Sequence, residues 1–206
     1  MNFNYSILSP NNYPLLQIDD FYSSQEQKEI WHEIEGYNRG INKWTRELGD
    51  VNRARTESGK SLAQNSRIYL DRIYNSPFRH FSSILTHYKK ITSTPVLNLY
   101  KKMGPVSRSF KIVNDDLTFI SYYQNEDEYD FHTDTALHTA LCFFYKTPKN
   151  FVGGDTIFKD NGITVECIHN RLIIFPSFYE HASSQLTLKN KKGCGKYTMA
   201  HFYGRI

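Results

Sequence analysis

The chain has 206 residues, which suits one large domain and is long for two independent ones. Hydrophobic residues make up 39% of the sequence and aromatic residues 15%, enough to fill an aromatic-rich core. The formal net charge is only +4, so electrostatics alone do not indicate a nucleic-acid-binding protein.

The cysteines and the N-terminus bear on the compartment of the protein. Cys142, Cys167 and Cys194 are scattered, and the lack of a CxxC pair argues against a cysteine-based zinc site. No basic region followed by a long apolar run opens the chain, so no signal peptide is predicted. No apolar run is long enough to span a bilayer, so we expect no membrane partner. The sequence predicts a reducing, cytoplasmic location.

The first elements along the chain are predicted from turn and capping signals. Residues 1–20 are expected to form an extended lead-in with a short strand near 15–18. Ser24 and Gln27 resemble a capping box, and apolar residues then recur at helical spacing, which predicts a helix over 24–36.

Two further helix starts follow a polar loop. Residues 38–67 are rich in Arg, Lys, Asn, Gly and Ser, and form either a solvated surface loop or a substrate-facing lid. A short strand is predicted to begin at Arg67. Ser76-Pro77 and Thr94-Pro95 are typical helix starts, the second opening a helix over 95–102. We expect these helices to pack against the outside of a sheet.

From about residue 107 the sequence becomes strand-like, with short aromatic and β-branched runs between turns. Asn161-Gly162 is a strong hairpin signal. The pattern predicts a single domain over 1–206, mainly β with N-terminal helices (α+β), with a sandwich or barrel of the jelly-roll type. Its parts are helical support with a lid-like loop over 1–106 and a jelly-roll core over 107–206. Strands are predicted at 109–113, 117–124, 129–133, 138–146, 155–158, 163–166, 171–175 and 196–203.

The chemistry is expected to centre on residues 129–134. His132 and Asp134 are two positions apart, and side chains at i and i+2 of an extended segment point to the same face. An imidazole and a carboxylate offered together suit Fe(II), and a second imidazole completes a facial triad with open positions. His181, which follows the apolar run 170–176, is the candidate third ligand.

A second candidate lies in the last predicted strand. Lys196 occurs within an apolar, aromatic run, where burying an unpaired ammonium is costly. Either this lysine lies on the solvent face or it meets an anion inside. Thr198 is predicted to share its face and to add a hydroxyl to an anion site.

Residues 117–204 resemble the catalytic core of the Fe(II)- and 2-oxoglutarate-dependent oxygenases, in their prolyl-4-hydroxylase-like branch. The resemblance covers under half of the chain, and its segments occur in the family's order. These segments are Tyr123 nine residues before His132, then 129–134, 138–145, 151–158, 170–176, His181 and 195–203. The resemblance implies a cupin-like, double-stranded β-helix and a catalytic role for the core over 107–206.

The resemblance implies roles for these residues. His132, Asp134 and His181 match the iron ligands, with 2-oxoglutarate and O2 as cosubstrates and ascorbate as a stimulant. The intact Asp134 favours hydroxylation over halogenation.

The resemblance also implies a binding site for 2-oxoglutarate. Lys196 matches the basic residue that pairs with the distal carboxylate of 2-oxoglutarate, beside which Thr198 is expected to lie. Tyr145 matches a position whose hydroxyl bonds the same carboxylate, and Tyr123 matches a tyrosine of the pocket.

One interval departs from the family pattern. Fifteen positions separate His181 from Lys196, more than the resemblance leads us to expect, and an extended hairpin within 187–193 would explain the excess. The insert leaves Lys189, Lys191 and Lys192 as rivals to Lys196, which we prefer because it lies in the apolar strand.

The other basic side chains are predicted to have structural or surface positions and no role in the site. His138 is expected at the surface, His201 on the face opposite Lys196, and Arg171 in a structural ion pair. His80 and His87 are expected to be exposed rather than metal-binding.

The sequence thus predicts a dioxygenase that hydroxylates a C–H bond of a peptidyl, prolyl-type or small amino-acid-like substrate, releasing succinate and CO2. The alternatives are a cupin-like metal protein that needs no 2-oxoglutarate and a non-catalytic jelly-roll binding module. A nucleic-acid demethylase is less favoured, because no basic, aromatic-interleaved patch stands out. The oligomeric state stays open.

Overall fold

The structure is a computed structural model that describes residues 3–8, 13–40, 44, 55–59, 61–190 and 193–205. Much of the predicted lid at 38–67 lies outside these ranges, and so do two of the rival lysines, Lys191 and Lys192. Among the described residues, no helix is both long and apolar enough to cross a membrane.

The core of the molecule is built from antiparallel strands, as predicted. In the described residues these are β1 (Asn4–Ile7), β2 (Leu16–Asp19), β3 (Ser66–Tyr69), β4 (Asp115–Tyr123), β5 (Tyr129–His132), β6 (His138–Phe144), β7 (Phe151–Gly153), β8 (Thr156–Phe158), β9 (Thr164–Val165), β10 (Leu172–Pro176), β11 (His181–Ser183), β12 (Leu186–Leu188) and β13 (Lys196–Gly204).

The strands form a major sheet, in the order β1-β2-β10-β6-β13-β4-β3, and a minor sheet, in the order β5-β11-β8-β9. A third, two-stranded sheet pairs β12 with β7. Most neighbours in these sheets, such as β10 and β6 or β5 and β11, are far apart in sequence, as expected for strands that alternate between the two sheets of a jelly roll. The predicted double-stranded β-helix is therefore confirmed.

The central strand β13 shows why this segment has its sequence. It pairs with β4 on one side, where Lys196 lies opposite Tyr123, and with β6 on the other. Because successive side chains point to opposite faces, Lys196, Thr198 and Phe202 face an internal cavity. The alternate residues, including Met199, join the core beneath the helices.

Helices cover the outer face of the major sheet, as predicted, and their apolar residues share one buried cluster with β4, β6, β10 and β13. The α-helices are α1 (Ser24–Asn38), α2 (Leu70–Ile73), α3 (Ser83–His87), α4 (Thr94–Lys101) and α5 (Pro105–Arg108). Short 3-10 helices occur at Phe78–Phe81, Tyr88–Thr92 and Ser109–Ile112.

The first helix begins at Ser24, as predicted, but its capping box lies one residue earlier than the predicted one. Ser23 accepts a hydrogen bond from the Glu26 backbone, and the Glu26 carboxylate accepts one from the Ser23 backbone. The side chain of Gln27 is not part of the cap, because it donates to the carbonyl of Tyr22 at 2.9 Å.

The second predicted helix is wrong as a single element. The chain there forms a 3-10 turn, α3 and a second 3-10 turn, and Ser82 rather than Ser76 caps α3. Glu33 of α1 explains the break, because its carboxylate accepts hydrogen bonds from the Ser82 hydroxyl and the Ile84 backbone N–H. A continuous helix would have left no free N–H for Glu33 at that point.

The strand predicted at 109–113 is also wrong, since Ser109–Ile112 is a 3-10 helix. Phe110 explains the difference: its ring packs against Tyr100, His138 and Tyr203, which fills the space between the helices and the sheet. Tertiary packing here overrides the strand preference of the sequence.

The other predicted elements lie close to those observed, whereas β7 and β11, the strand that carries His181, were not predicted. β8 and β9 form the hairpin predicted by Asn161-Gly162, and Gly162 has a φ of +66°. The insert at 187–193 differs from the extended hairpin expected there, because Leu186–Leu188 pairs with Phe151–Gly153 instead.

Candidate metal and cosubstrate site

The predicted triad comes together at one end of the minor sheet. His132 on β5 lies opposite His181 on β11, and Asp134 follows two residues after His132. Asp134 Oδ1 is 3.6 Å from His132 Nε2, and Asp134 Oδ2 is 3.6 Å from His181 Nε2. One ligand atom from each of the three residues lies within 4.8 Å of the others, so they can hold one metal ion.

Backbone carbonyls orient both imidazoles. His132 Nδ1 lies 2.8 Å from the carbonyl of Asp130, and His181 Nδ1 lies 2.8 Å from the carbonyl of Tyr179. Because a carbonyl only accepts, each Nδ1 carries the proton and each Nε2 presents its lone pair to the ion. The site is thus arranged for a metal by its supporting hydrogen bonds as well as by its ligands.

Asp134 lies just beyond the end of β5, so the strand alone does not fix it. Its backbone N–H donates to the carbonyl of Ser177 at 2.9 Å. The Thr139 hydroxyl donates to Asp134 Oδ2 at 2.6 Å and lies 2.8 Å from the Ser177 hydroxyl. The carboxylate is therefore held by β6 and by the turn after β10.

Burial sets the protonation of the triad in the absence of an ion. Desolvation, followed by repulsion from His181, lowers the pKa of His132 to about 2, so this imidazole stays neutral. Desolvation also raises the pKa of Asp134, although His181 and the Thr139 hydroxyl oppose the rise. A divalent cation would favour the ionised carboxylate, which is the form that binds metals.

Lys196 marks the other end of the site. Its side chain is buried, with Nζ donating to the carbonyl of Gly154 at 2.6 Å and to the Ser183 hydroxyl at 2.9 Å. The ammonium also lies 4.2 Å from the centre of the Tyr123 ring. These contacts use two of its three N–H groups and leave one for a ligand in the cavity.

Two hydroxyl residues accompany Lys196, as predicted. Thr198 lines the cavity, and its buried Oγ1 has no hydrogen-bond partner among the described residues. Tyr123 lines the cavity from β4, and burial raises the pKa of its phenol well above the usual value, so it stays protonated. An unpartnered buried hydroxyl beside an ammonium fits an anionic ligand.

The Gly153-Gly154 turn shapes this region. Both glycines have positive φ values, and a Cβ on Gly153 would lie 2.1 Å from the carbonyl oxygen of Gln185. Gly154 passes so close to Lys196 that its carbonyl accepts a hydrogen bond from the ammonium. The turn therefore also orients the lysine.

Two of the sequence-predicted candidates lie away from this site. Tyr145 follows the end of β6, packs against Phe151 and His169, and is not among the residues that line the cavity. Of the rival lysines, Lys189 is exposed at the end of β12.

The structural and surface positions predicted for the other basic residues are correct in some cases and wrong in others. Arg171 forms the predicted ion pair, with Asp19. His201 is on the opposite face from the cavity, where it hydrogen-bonds to Thr118. The surface position predicted for His138 is wrong: it is fully buried between Tyr100 and Ser109, and desolvation lowers its pKa to about 4.

The exposure predicted for two further histidines is half correct. His80 is exposed, but His87 is half-buried and lies 2.6 Å from a carboxylate oxygen of Glu29. Neither residue belongs to the metal cluster.

The triad and Lys196 share one cavity of about 860 Å³. We call the part around Lys196, Tyr123, Thr156, Ser183 and Thr198 the deep end. The part around Asp115, Leu117, Leu137, Phe202 and Arg205 is the open end, since Leu117 and Leu137 are 42% and 37% exposed. The metal ligands lie in the wall of the same cavity.

Arg67 is a cavity residue whose position the sequence did not single out. It lies on β3, is 1% exposed, and stacks its guanidinium on the rings of Phe119 and Tyr129. The signal was available, because Arg67 opens the apolar run Ile68-Tyr69-Leu70, just as Lys196 lies within an apolar strand.

Comparison with known proteins identifies the fold. No protein-family model and no curated protein sequence matches the chain. A prolyl-4-hydroxylase of Pseudomonas putida is similar in structure, with a TM-score of 0.61, 14% identity, and coverage of 94% of both chains. A prolyl hydroxylase of Trichoplax adhaerens, in complex with a hypoxia-inducible factor peptide fragment, has a TM-score of 0.59 and 13% identity, over 92% of this chain and 83% of that chain.

A viral collagen prolyl hydroxylase from Paramecium Bursaria Chlorella virus-1, in its 2-oxoglutarate complex, has a TM-score of 0.53 and 12% identity, over 92% of this chain and 94% of that chain. Identities this low carry the fold and nothing finer. The chain therefore has the fold of the 2-oxoglutarate- and Fe(II)-dependent oxygenases. Within that class it has the prolyl-4-hydroxylase-like form, and its cavity wall holds a His-Asp-His cluster.

Proposed function

We propose that the protein, as one domain over 1–206, is an Fe(II)- and 2-oxoglutarate-dependent dioxygenase that hydroxylates a C–H bond. The substrate would be a peptidyl, prolyl-type or amino-acid-like molecule, and succinate and CO2 would be released. The observation that carries the proposal is that a facial His-Asp-His cluster and a buried lysine share one cavity.

The metal ligands fit Fe(II). Two neutral imidazoles and one carboxylate bind on one side of an ion and leave the opposite positions for other ligands. His132, Asp134 and His181 provide this set, and a bound Fe(II) would supply activation of O2. The carbonyl acceptors behind both imidazoles and the Thr139 hydroxyl behind the carboxylate would keep the three donors aimed at the ion.

The deep end fits the cosubstrate. A dicarboxylate that reaches the metal with one end needs a cation for the other, and Lys196 offers its remaining N–H group. Thr198 offers a hydroxyl without another partner among the described residues. The Tyr123 ring contacts the ammonium, whose nitrogen lies 4.2 Å from the ring centre. Tyr145, by contrast, has no part in this proposal, because it does not line the cavity.

The walls of the cavity would contribute by excluding water from the metal. Phe143 lines the cavity, and its ring centre lies 5.6 Å from the Lys196 ammonium. Phe175 packs edge-on against His181, with ring centres 4.8 Å apart. Such a dry setting strengthens the interactions between the charged groups of the site.

The alternative is a cupin-like metal protein that uses no 2-oxoglutarate. It shares the triad but gives Lys196 a purely structural role, as the hydrogen bonds to Gly154 and Ser183 permit. In the proposed dioxygenase, binding of 2-oxoglutarate depends on Lys196, whereas in the alternative Lys196 only stabilises the structure.

Succinate formation from 2-oxoglutarate tests the proposal. The purified protein is incubated in air with Fe(II) and ascorbate, beside the variants His132→Ala, Lys196→Ala and Lys189→Ala. We expect slow turnover that the first two substitutions abolish and the exposed-lysine control retains. Turnover that survives Lys196→Ala would refute the role of Lys196. A wild-type protein that binds Fe(II) but neither binds nor turns over 2-oxoglutarate would favour the alternative.

A further inference from the structure

The open end of the cavity is apolar, with a cationic lining. Phe119 and Phe202 both line the cavity and stack on each other, with ring centres 5.2 Å apart. Three arginines line the cavity together with a single carboxylate outside the triad, counting only residues that the structure describes. These are Arg55, Arg67 and Arg205, with Asp115.

The charges of the deep end would balance without the arginines. A divalent ion, the Asp134 carboxylate, a doubly negative 2-oxoglutarate and the Lys196 ammonium together carry no net charge. The arginines are then not needed to neutralise the bound cosubstrate. The described lining of the cavity outside the triad therefore contains more cationic than anionic side chains.

Arg67 is the innermost of the three arginines by burial, since Arg55 and Arg205 are exposed. Its guanidinium carbon lies 4.7 Å from the centre of the Phe119 ring and 5.0 Å from that of Tyr129. Its Nε donates to Asn65 Oδ1 at 3.0 Å. The aromatic contacts fix the guanidinium plane, and a fixed planar fork suits a carboxylate.

Arg67 is also close to the metal ligands. The Tyr129 ring that it contacts stacks on His132, with ring centres 3.6 Å apart and planes within 7°. Tyr129 therefore lies between Arg67 and a metal ligand. A substrate anion bound at Arg67 would lie close to the ion at which the reaction takes place.

We infer that the substrate carries a carboxylate bound by Arg67, and that the hydroxylated carbon lies close to it. The inference rests on the proposed function and adds the substrate class. The carboxylate belongs either to an aspartate or glutamate side chain of a peptide or to the α-carboxylate of a free amino acid. Both sources offer the same planar anion to the guanidinium.

Calorimetric titration of Zn(II)-loaded protein, saturated with 2-oxoglutarate, separates these sources. One arm compares the degenerate peptide mixtures Ac-X-X-Glu-X-NH2 and Ac-X-X-Gln-X-NH2. The other compares a mixture of free amino acids with a mixture of their amides. We expect the carboxylate form of one pair to bind about tenfold more tightly than its amide. The pair that discriminates identifies the source.

Three variants assign the discrimination to Arg67. Arg67→Gln is expected to reduce the difference between carboxylate and amide to within about twofold, whereas Arg67→Lys keeps part of it. Arg108→Gln is the control, since Arg108 is exposed and does not line the cavity. If Arg67→Gln does not fold, the wild-type pairs and Arg67→Lys still decide.

The outcomes separate this inference from the proposed function. If zinc and 2-oxoglutarate bind but neither carboxylate form is preferred over its amide, the substrate class is wrong and the dioxygenase proposal stands. If 2-oxoglutarate does not bind to the zinc-loaded protein, the proposed function fails first. Discrimination that persists undiminished in Arg67→Gln would also overturn the role of Arg67.

Discussion

The deep end and the open end of the cavity are built in different ways. Lys196 at the deep end is held by a backbone carbonyl, a hydroxyl and an aromatic ring, and it is 1% exposed. At the open end, Leu117 and Leu137 leave about two fifths of their side chains in solvent. A preorganised end suits one invariable ligand, whereas an open, apolar end selects among larger molecules. Under the proposed function, cosubstrate and substrate would therefore occupy different parts of one cavity.

Removal of a metal ligand should have the largest effect, because both ends depend on the ion. His132→Ala is expected to abolish Fe(II) binding and, with it, 2-oxoglutarate binding, while the protein stays folded. Equilibrium dialysis with Fe(II) under nitrogen, beside thermal unfolding, measures both effects. His80→Ala, which alters an exposed histidine, should bind normally. Full metal affinity in His132→Ala would remove the triad from the account.

Removal of the Lys196 ammonium should weaken the binding of 2-oxoglutarate but not that of the metal. Lys196→Ala is expected to weaken 2-oxoglutarate binding by about 10- to 100-fold, because a charge-assisted contact is lost. Metal affinity should change little, since Lys196 hydrogen-bonds to Gly154 and Ser183 and not to the triad. Calorimetry with Zn(II)-loaded protein measures both affinities, with Lys189→Ala as the matched control. An equal loss of metal affinity would show that the deep end and the metal are not separable.

The hydrogen bond that holds Asp134 should matter less than the ligand itself. Thr139→Val removes the hydroxyl that donates to Asp134 Oδ2 and nearly keeps the side-chain volume. Loss of such a supporting contact typically lowers metal affinity by about 10- to 100-fold. Competition with a metal chelator measures the change, and Thr139→Ser should restore most of the affinity. No change in Thr139→Val would mean that the backbone bond to Ser177 alone positions the carboxylate.

The pH dependence of cosubstrate binding gives the smallest effect. Burial lowers the pKa of Lys196 to about 8, from the ordinary value near 10.5. Under the proposed function it is the protonated lysine that would bind the carboxylate, so 2-oxoglutarate affinity should be full below pH 8 and fall as pH rises through that value. Between about pH 8 and pH 10.5 the unfolded chain holds more protons than the folded protein. The stability of the ligand-free protein should therefore rise with pH over this range.

Lys196→Arg tests this assignment, because a guanidinium stays charged throughout that range. The variant should keep any residual 2-oxoglutarate affinity constant from pH 7 to about pH 9.5. Calorimetry at fixed ionic strength gives both profiles. A decline of the same size in the arginine variant would assign the pH effect to another group.

The same contrast explains what the sequence could predict. The triad and Lys196 could be singled out because the ordered set of segments that contains them resembles a known family, whereas the spacing of two histidines and one aspartate alone is a weak signal. The i, i+2 argument placed His132 and Asp134 together correctly, although Asp134 lies beyond the strand and depends on Ser177 and Thr139. Those supporting contacts join residues distant in sequence and left no local signal.

The features that the sequence did not predict depend on contacts between residues that are distant along the chain. Arg67 appeared within a polar, basic segment, and only the pairing of β3 with β4 places it in the cavity. His138 was expected at the surface because nothing near it in sequence indicates that Tyr100 and Ser109 would enclose it. Likewise, the helix predicted from Ser76 is broken by Glu33, a residue of another helix. In each case a long-range partner overrides the local pattern.

The most direct test of the two-ended site is the visible absorption spectrum of the Fe(II) protein with 2-oxoglutarate, recorded under nitrogen. Chelation of the iron by the keto acid should give a weak charge-transfer band in the wild-type protein. The band should be absent in His132→Ala and should need much more 2-oxoglutarate in Lys196→Ala. A folded, Fe(II)-loaded wild-type protein that shows no band at saturating 2-oxoglutarate would contradict the account.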